Sequence, residues 1–401
     1  MEELRAEMES ITLFTYEVDD IEAGISDLLG QLDDFTLRSS SVGLLFAPYD
    51  VELELLTERL KQELDFPIVG ATGMSLLNDK CGYQVNGLSL QIMTADDCDF
   101  AAGITGPVTP ENLEGEVTAL CARLKQQAGG EAKVAITYLA MSPEQRGEHY
   151  LDIMERELPG VPLFGGVAIG DFSVEDSKVL LDERLLECGA VMVLVSGAVR
   201  PVMHCEYSVT QEQSLPGEVV CEADRVLRLG GRTLVEVLKE RGIRSENTSV
   251  LMEFASLPFV AEIPMESGDV ISVVRHLKEI DEEDGSGAFI GAIRNGTHFS
   301  IGMLEGEEVR ASVERALQKL LPRLEQEKDY RYSTILCTSC AAREMALAGA
   351  VSDEGDALLK VLPGTLTLSG MYSFGEICPV AGQSGKEYNM FHNTAFTVLV
   401  M

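Results

Sequence analysis

The stretch LSGMYSFGEICP, Leu368 to Pro379, ends an apolar run at Gly370, spaces four residues to Gly375 and sets Glu376 directly after it. A phosphate loop of the form G-x-x-x-x-G-K-[ST] needs a cation at that place, so the carboxylate has the wrong sign for phosphate. An acid there caps neighbouring backbone N–H groups or meets a ligand ammonium. Tyr372 and Ser373, inside the same turn, offer hydroxyls. Arg343 follows Cys340 by three residues, and its planar guanidinium suits a carboxylate, either a ligand's or one of the chain's 66 acids. His392 and Asn393 open the last strand; alternation sends Phe391 and Asn393 to one face and His392 to the other. The histidine there either closes a sheet or meets a ligand. CTSC, Cys337 to Cys340, has the spacing of a redox pair or half a zinc site, but no second C-x-x-C accompanies it, and buried thiols are the simpler reading.

Repeated elements must position these groups. SVGLLFA, KVAITYLA and YSTILCTSC are strand-length runs, each followed by a helical pattern. The first helix carries Leu53, Leu56, Leu60 and Leu64 on one face; the second is expected to start with Ser142 as cap and Pro143 in its first turn; the third is broken near Gly355. A second strand then runs into glycine in FPIVGATGMS, VPLFGGVAIGD and LTLSGMYSFGE. Aligned, these place Gly70, Gly165 and Gly370 level, and Leu76, Asp171 and Glu376 level. Such glycines read first as structural turns, and Asp171 and Glu376 sit at strand ends, where α/β sheets bind ligands. A third strand completes each unit. A degenerate fourth copy is expected around SVLMEFA and GDVISVVRHL, with helices introducing all four units near 20–32, 111–127, 219–241 and 308–327. The fold class is therefore α/β, two related halves of repeated helix-strand-helix-strand-glycine turn-strand units with mixed sheets. The polar segment VTQEQSLPGE divides 1–208 from 209–401.

The chain has 401 residues and a net charge of −35, with 31 basic against 66 acidic side chains. That field repels nucleic acid and anionic lipid surfaces. The longest apolar run, Cys188 to Val199, is too short to span a membrane and reads as a buried strand. Nine scattered cysteines suit reduced thiols in the cytoplasm. Five histidines form no H-E-x-x-H motif, and no G-x-S-x-G elbow is present. GSGAFIG leads into a strand, which argues against dinucleotide binding.

FPIVGATG and VPLFGGVAIGD resemble the N region of FIST sensory-domain proteins, and GGRTLVEVLKE, ILCTSCAARE, LSGMYSFGEICP and FHNTAFTVLV resemble the FIST C region. The first unit departs from the family pattern, with Ser75 and Leu76 in place of glycine and an acid. The resemblance implies a small-molecule sensor, with amino acids as the ligand class, signalling through a separate protein partner. Chemistry and resemblance together suggest a clamp in which Arg343 takes a carboxylate and Glu376 an amine, with Gly370, Tyr372, Ser373, His392, Asn393 and Asp171 as further ligand contacts. No catalytic set, cofactor or metal is expected on this reading. The alternative is a thiol- or metal-dependent enzyme using Cys337 and Cys340.

Overall fold

A computed structural model describes residues 8–244 and 247–401. Three successive units each run strand, helix, strand, helix, strand, hairpin, strand. The first comprises Met8–Thr15, Ile21–Gly30, Ser40–Ala47, Leu53–Glu63, Ile68–Thr72, the hairpin Leu76–Asn78 with Gly82–Gln84, and Leu88–Ala95. The second extends from Cys98–Ile104 to Gly189–Gly197, and the third from Val202–Tyr207 to Ala395–Val400. In each, the two strands flanking the second helical stretch pair in parallel and the final strand returns antiparallel beside them. A β-α-β crossover followed by an antiparallel return gives the mixed sheets expected from the alternating pattern.

Each unit gives its hairpin to a neighbour. The hairpin Val179–Leu181 with Arg184–Leu186 extends the first unit's sheet; Gly375–Ala381 with Glu387–His392 extends the second's; Leu76–Asn78 with Gly82–Gln84 extends the third's. Three six-stranded sheets are thus closed in a ring by exchange. One apolar core draws Phe46, Val69, Ile136, Phe164, Leu336 and Leu399 from all three inner faces. Helices cover the outer faces: Leu53, Leu56 and Leu60, for instance, are wholly buried against the first sheet, as their spacing predicts.

The fourth group of elements is not a copy of the others. Residues 209–304, inserted in the third unit after Val202–Tyr207, form a seven-stranded sheet whose pairings are all antiparallel. The polar VTQEQSLPGE is part of its strand Val209–Glu222, with one face toward solvent, rather than a linker. The helix expected over 219–241 shrinks to Leu234–Glu240, started by a capping box between Thr233 and Glu236; Ala223, at φ 55, turns the preceding chain back as a β-ribbon. SVLMEFA contributes an isolated bridge at Ser249 and then turns instead of a strand. The second unit's helix starts at Gly147, because Ser142 to Gln145 close a turn of their own. The third unit's helical stretch breaks at Ala348, which is left-handed, not at Gly355.

Candidate functional site

Glycines frame the candidate residues of the third unit. Gly370 lies inside the strand Thr367–Ser373, opposite Cys337 on the parallel neighbour, and a Cβ there would stand 2.2 Å from the Cys337 carbonyl oxygen. Gly70 faces Leu45 and Gly165 faces Thr137 in the same way. The repeated glycine marks close strand approach in mid-sheet, not a ligand turn. Sheet register also separates the two aligned acids. Glu376 pairs with Gly166, and the equivalent place in the second unit's hairpin is Val179, paired with Ala71; Asp171 falls in the longer loop before it and is exposed.

Arg343 and Glu376 are both wholly buried, each with partners inside the fold. Arg343 donates to Glu354 Oε1 at 3.0 Å, to Ser208 Oγ at 2.8 Å, to Ser312 Oγ and Ser339 Oγ at 3.0 Å, and to the Val309 carbonyl at 3.2 Å. Tyr372 joins this knot by donating to Glu354 Oε2 at 2.8 Å. Glu376 belongs to a second knot, accepting from Ser373 Oγ at 2.9 Å and from the Ala395 N–H at 3.2 Å. His392 lies between the Tyr207 hydroxyl and the Cys378 carbonyl, a buried ring closing a sheet. The two halves of the expected clamp therefore serve separate internal networks. Of the expected ligand contacts and thiols, Asn393 and Cys340 line a small cavity beside the inserted sheet.

The thiols are similarly enclosed. Cys337 and Cys340 stand three apart on the strand Thr334–Cys340, so they point to opposite faces. Burial pushes both thiols up, away from the nucleophilic thiolate. Among the described residues no three His, Cys, Asp or Glu side chains gather as a metal site.

Burial also sets a pH dependence. It pushes the Glu376 carboxyl up to about 8 and pulls the His276 and His392 rings down to about 4. In the unfolded chain these groups titrate near 4.5 and 6.5. Between those values the two unfolded rings bind more protons than the one folded carboxyl, so stability rises with pH. Above about 6.5 the Glu376 proton outweighs what remains on the unfolded rings: folding takes up a fraction of a proton, and stability falls toward pH 8 by less than ~1.4 kcal/mol per pH unit. Denaturation at a series of pH values should show this decline, with Glu376→Gln flattening it. An unchanged slope in the variant would mean that Glu376 is ionised in the fold.

A cavity of about 460 Å³ lies between the three-unit body and the inserted sheet. The body supplies the turn Ser142 to Gln145, the first residues of the helix Gly147–Glu157 and the loop Phe172 to Glu175; the insert supplies Asp224, Ser249, Leu251, Lys278 and Gly291. Two cations share one carboxylate at its edge: Arg146 Nη2 is 2.8 Å from Asp224 Oδ1 and Lys278 Nζ is 3.5 Å from Asp224 Oδ2. Arg146 and Lys278 are only about one-third exposed, so water screens them incompletely. Deeper in, Glu148 Oε1 accepts from the Ala292 N–H at 2.6 Å, whereas its Oε2 is buried without a hydrogen-bond partner. Behind it Arg275, wholly buried in the insert's strand Val270–Ile280, donates to the Phe391 carbonyl of the body at 3.0 Å. Its Nη2 stands 3.9 Å from Glu148 and has no hydrogen bond. Gly291, at φ 98, leaves the space these two groups need: a Cβ there would meet Arg275 Nε at 2.7 Å and Glu148 Oε1 at 2.8 Å.

A smaller chamber, about 50 Å³, shares Phe172, Leu251, Ile290 and Phe374 with this cleft and is also lined by His276, Asn393 and Cys340. Sequence reasoning passed over Arg146, Glu148, Asp224, Arg275, His276 and Lys278. One signal was readable: VISVVRHLKEI places Arg275 and His276 at the centre of an apolar, β-branched strand, where charge has to be held by a partner.

The FIST N domain matches residues 41–232 and the FIST C domain residues 235–379. An uncharacterized protein of Mycobacterium bovis is 25% identical over 244 residues, 57% of this chain and 58% of that protein. An uncharacterized protein of Mycobacterium tuberculosis is 26% identical over 246 residues, 58% of this chain and 60% of that one. The chain thus spans about three fifths of the length of these curated relatives. Cyanuric acid hydrolase, described as an evolutionary innovation by structural concatenation, aligns over 98% of this chain and 99% of its own at 10% identity. The TM-score of that alignment is 0.32.

Proposed function

The chain belongs to the FIST family of sensory, ligand-binding signal transduction domains, and from that premise we propose that its cleft binds a small zwitterionic, amino-acid-like metabolite. The observation that carries this reading is the charge arrangement: two cations on one carboxylate at the mouth, and a buried carboxylate oxygen without a partner farther in. A ligand carboxylate adds a second negative charge beside Arg146 and Lys278, with the Arg146 fork donating to it. A ligand ammonium donates to Glu148 Oε2 and removes the cost of an unanswered buried acceptor. Arg343, Tyr372, Ser373, Glu376 and His392 act behind this surface, holding the strands that present it, and Asn393 extends toward the ligand from the inner chamber.

Signalling on this reading runs through the inserted sheet. Hairpin exchange locks the three units together, so the contact between body and insert is the joint a ligand shifts by binding one arrangement better than another. A separate cytoplasmic protein reads that state. Among the described residues no helix is long and apolar enough to cross a membrane.

Thermal unfolding of the full chain against a panel of amino acids and related metabolites tests the proposal. A ligand at a hundredfold excess over Kd should stabilise by about 2.7 kcal/mol. Arg146→Ala and Lys278→Ala should each weaken binding about tenfold or more, the loss of one charge-assisted contact. No shift with any zwitterion, alongside a shift with neutral metabolites, would overturn the charge reading.

A further inference from the structure

The inner chamber differs in character from the cleft that leads to it. Its wall is mostly apolar, and Phe172, Leu251, Ile290 and Phe374 line both spaces. At about 50 Å³ it accommodates about four heavy atoms, taking ~10–15 Å³ for each water-sized group. Three polar residues reach its wall. Asn393 is internally satisfied: its Oδ1 accepts from the His276 N–H at 3.3 Å, and its Nδ2 donates to the His392 carbonyl at 3.0 Å. The Cys340 thiol is kept protonated by burial. His276, 3% exposed, uses Nε2 on the Thr394 hydroxyl, and its Nδ1 has no hydrogen-bond partner. Among the side-chain nitrogens and oxygens of this wall, Nδ1 is the one left unanswered.

We propose that this chamber is the specificity pocket of the cleft, taking an apolar arm of about four heavy atoms that ends in a hydroxyl bound by His276 Nδ1. The inference rests on the zwitterion-binding reading of the cleft for the ligand's charged head, but not for the arm. Burial keeps the His276 ring neutral, so one nitrogen donates and the other accepts. Thr394 Oγ1 takes either role, and a hydroxyl does too, so the match holds for both tautomers. An arm ending in a methyl leaves Nδ1 unanswered, and a charged arm loses its hydration in an apolar wall. The ligand class is therefore an amino acid with a short aliphatic side chain carrying a terminal alcohol.

Glycine, norvaline and 5-hydroxynorvaline separate head from arm. In the full chain, calorimetric affinities should rise in that order, by about tenfold for the arm and about tenfold again for the hydroxyl. Ala342→Phe, which fills the chamber wall, should bring all three to a common affinity. His276→Leu should remove the preference for 5-hydroxynorvaline over norvaline while leaving norvaline above glycine. Equal affinities in the unsubstituted chain would overturn the inference and leave the charge reading of the cleft standing. If no amino acid binds, that charge reading fails, and the chamber is probed alone with 1-butanol by NMR. Shifts at the His276 ring and Ala342 methyl that disappear in Ala342→Phe would support the pocket; no shift would overturn it.

Discussion

Glu354→Ala is expected to destabilise the protein by about 3–5 kcal/mol, because it leaves a buried guanidinium without its counter-charge. Glu354 and Arg343 are both wholly buried, with Arg343 Nη2 at 3.0 Å and Nε at 3.3 Å from the same carboxylate oxygen. The second oxygen accepts from Tyr372, and Ser339 donates to the first, so the substitution strands two hydroxyls as well as the charge. Arg343 cannot turn to water, since Ser208 holds Nη1, Ser312 and the Val309 carbonyl also hold Nη2, and its guanidinium carbon lies 5.6 Å from the Phe396 ring centre. Glu354→Gln keeps oxygen and shape and should lose less. Arg343→Met combined with Glu354→Leu removes both charges and should recover much of the loss, since well-packed apolar residues often replace a buried ion pair at little cost. Denaturant titration of the single and double variants measures the coupling directly. A single variant within about 1 kcal/mol of the unsubstituted chain would mean that water reaches Arg343. Ser208 immediately precedes the insert's first strand, so the knot also fixes where the inserted sheet leaves the body.

The units were legible in the sequence because period and glycine placement are local properties. VELELLTERLKQEL shows its buried stripe in its own spacing, and Gly70, Gly165 and Gly370 align because all three answer one local demand. Partner choice was not legible. The hairpin within LLNDKCGYQ was not read from the sequence, and only assembly pairs Leu76 with Met371 in another unit. The misplaced weight on Arg343 and Glu376 has the same origin. Their chemistry suits a ligand and a buried network equally, and burial is a property of the assembled body. The cleft draws Arg146 from the second unit, Asp224 from the turn between two strands of the insert and Lys278 from another strand, so no spacing within one segment announces it. Asp171 aligned with Glu376 only because counting residues ignores the longer loop before Val179, which register exposes.

Gly165→Ala should destabilise by about 3 kcal/mol or more, at the upper end of overpacking effects. A Cβ built there stands 1.8 Å from the Thr137 carbonyl oxygen and 2.8 Å from the carbonyl carbon, so backbone rather than a flexible side chain would have to move. Gly165 is also at φ 144, a region L-residues rarely adopt, which adds strain to the collision. The strand cannot yield alone. Gly165 pairs with Thr137 on one side and with Ile377 of the third unit's hairpin on the other, and the Thr338 hydroxyl donates to its carbonyl at 3.1 Å. Displacing it disturbs the exchanged hairpin, and through Ile377 and its partner Phe391 the lining of the cleft. Gly160→Ala provides the comparison: it is also at positive φ, 76, but no atom stands within 4 Å of its Cβ position. There the cost should be backbone strain alone, about 1–2 kcal/mol. Paired denaturation curves would distinguish the two, and equal losses would refute steric approach between strands as the reason for the repeated glycine.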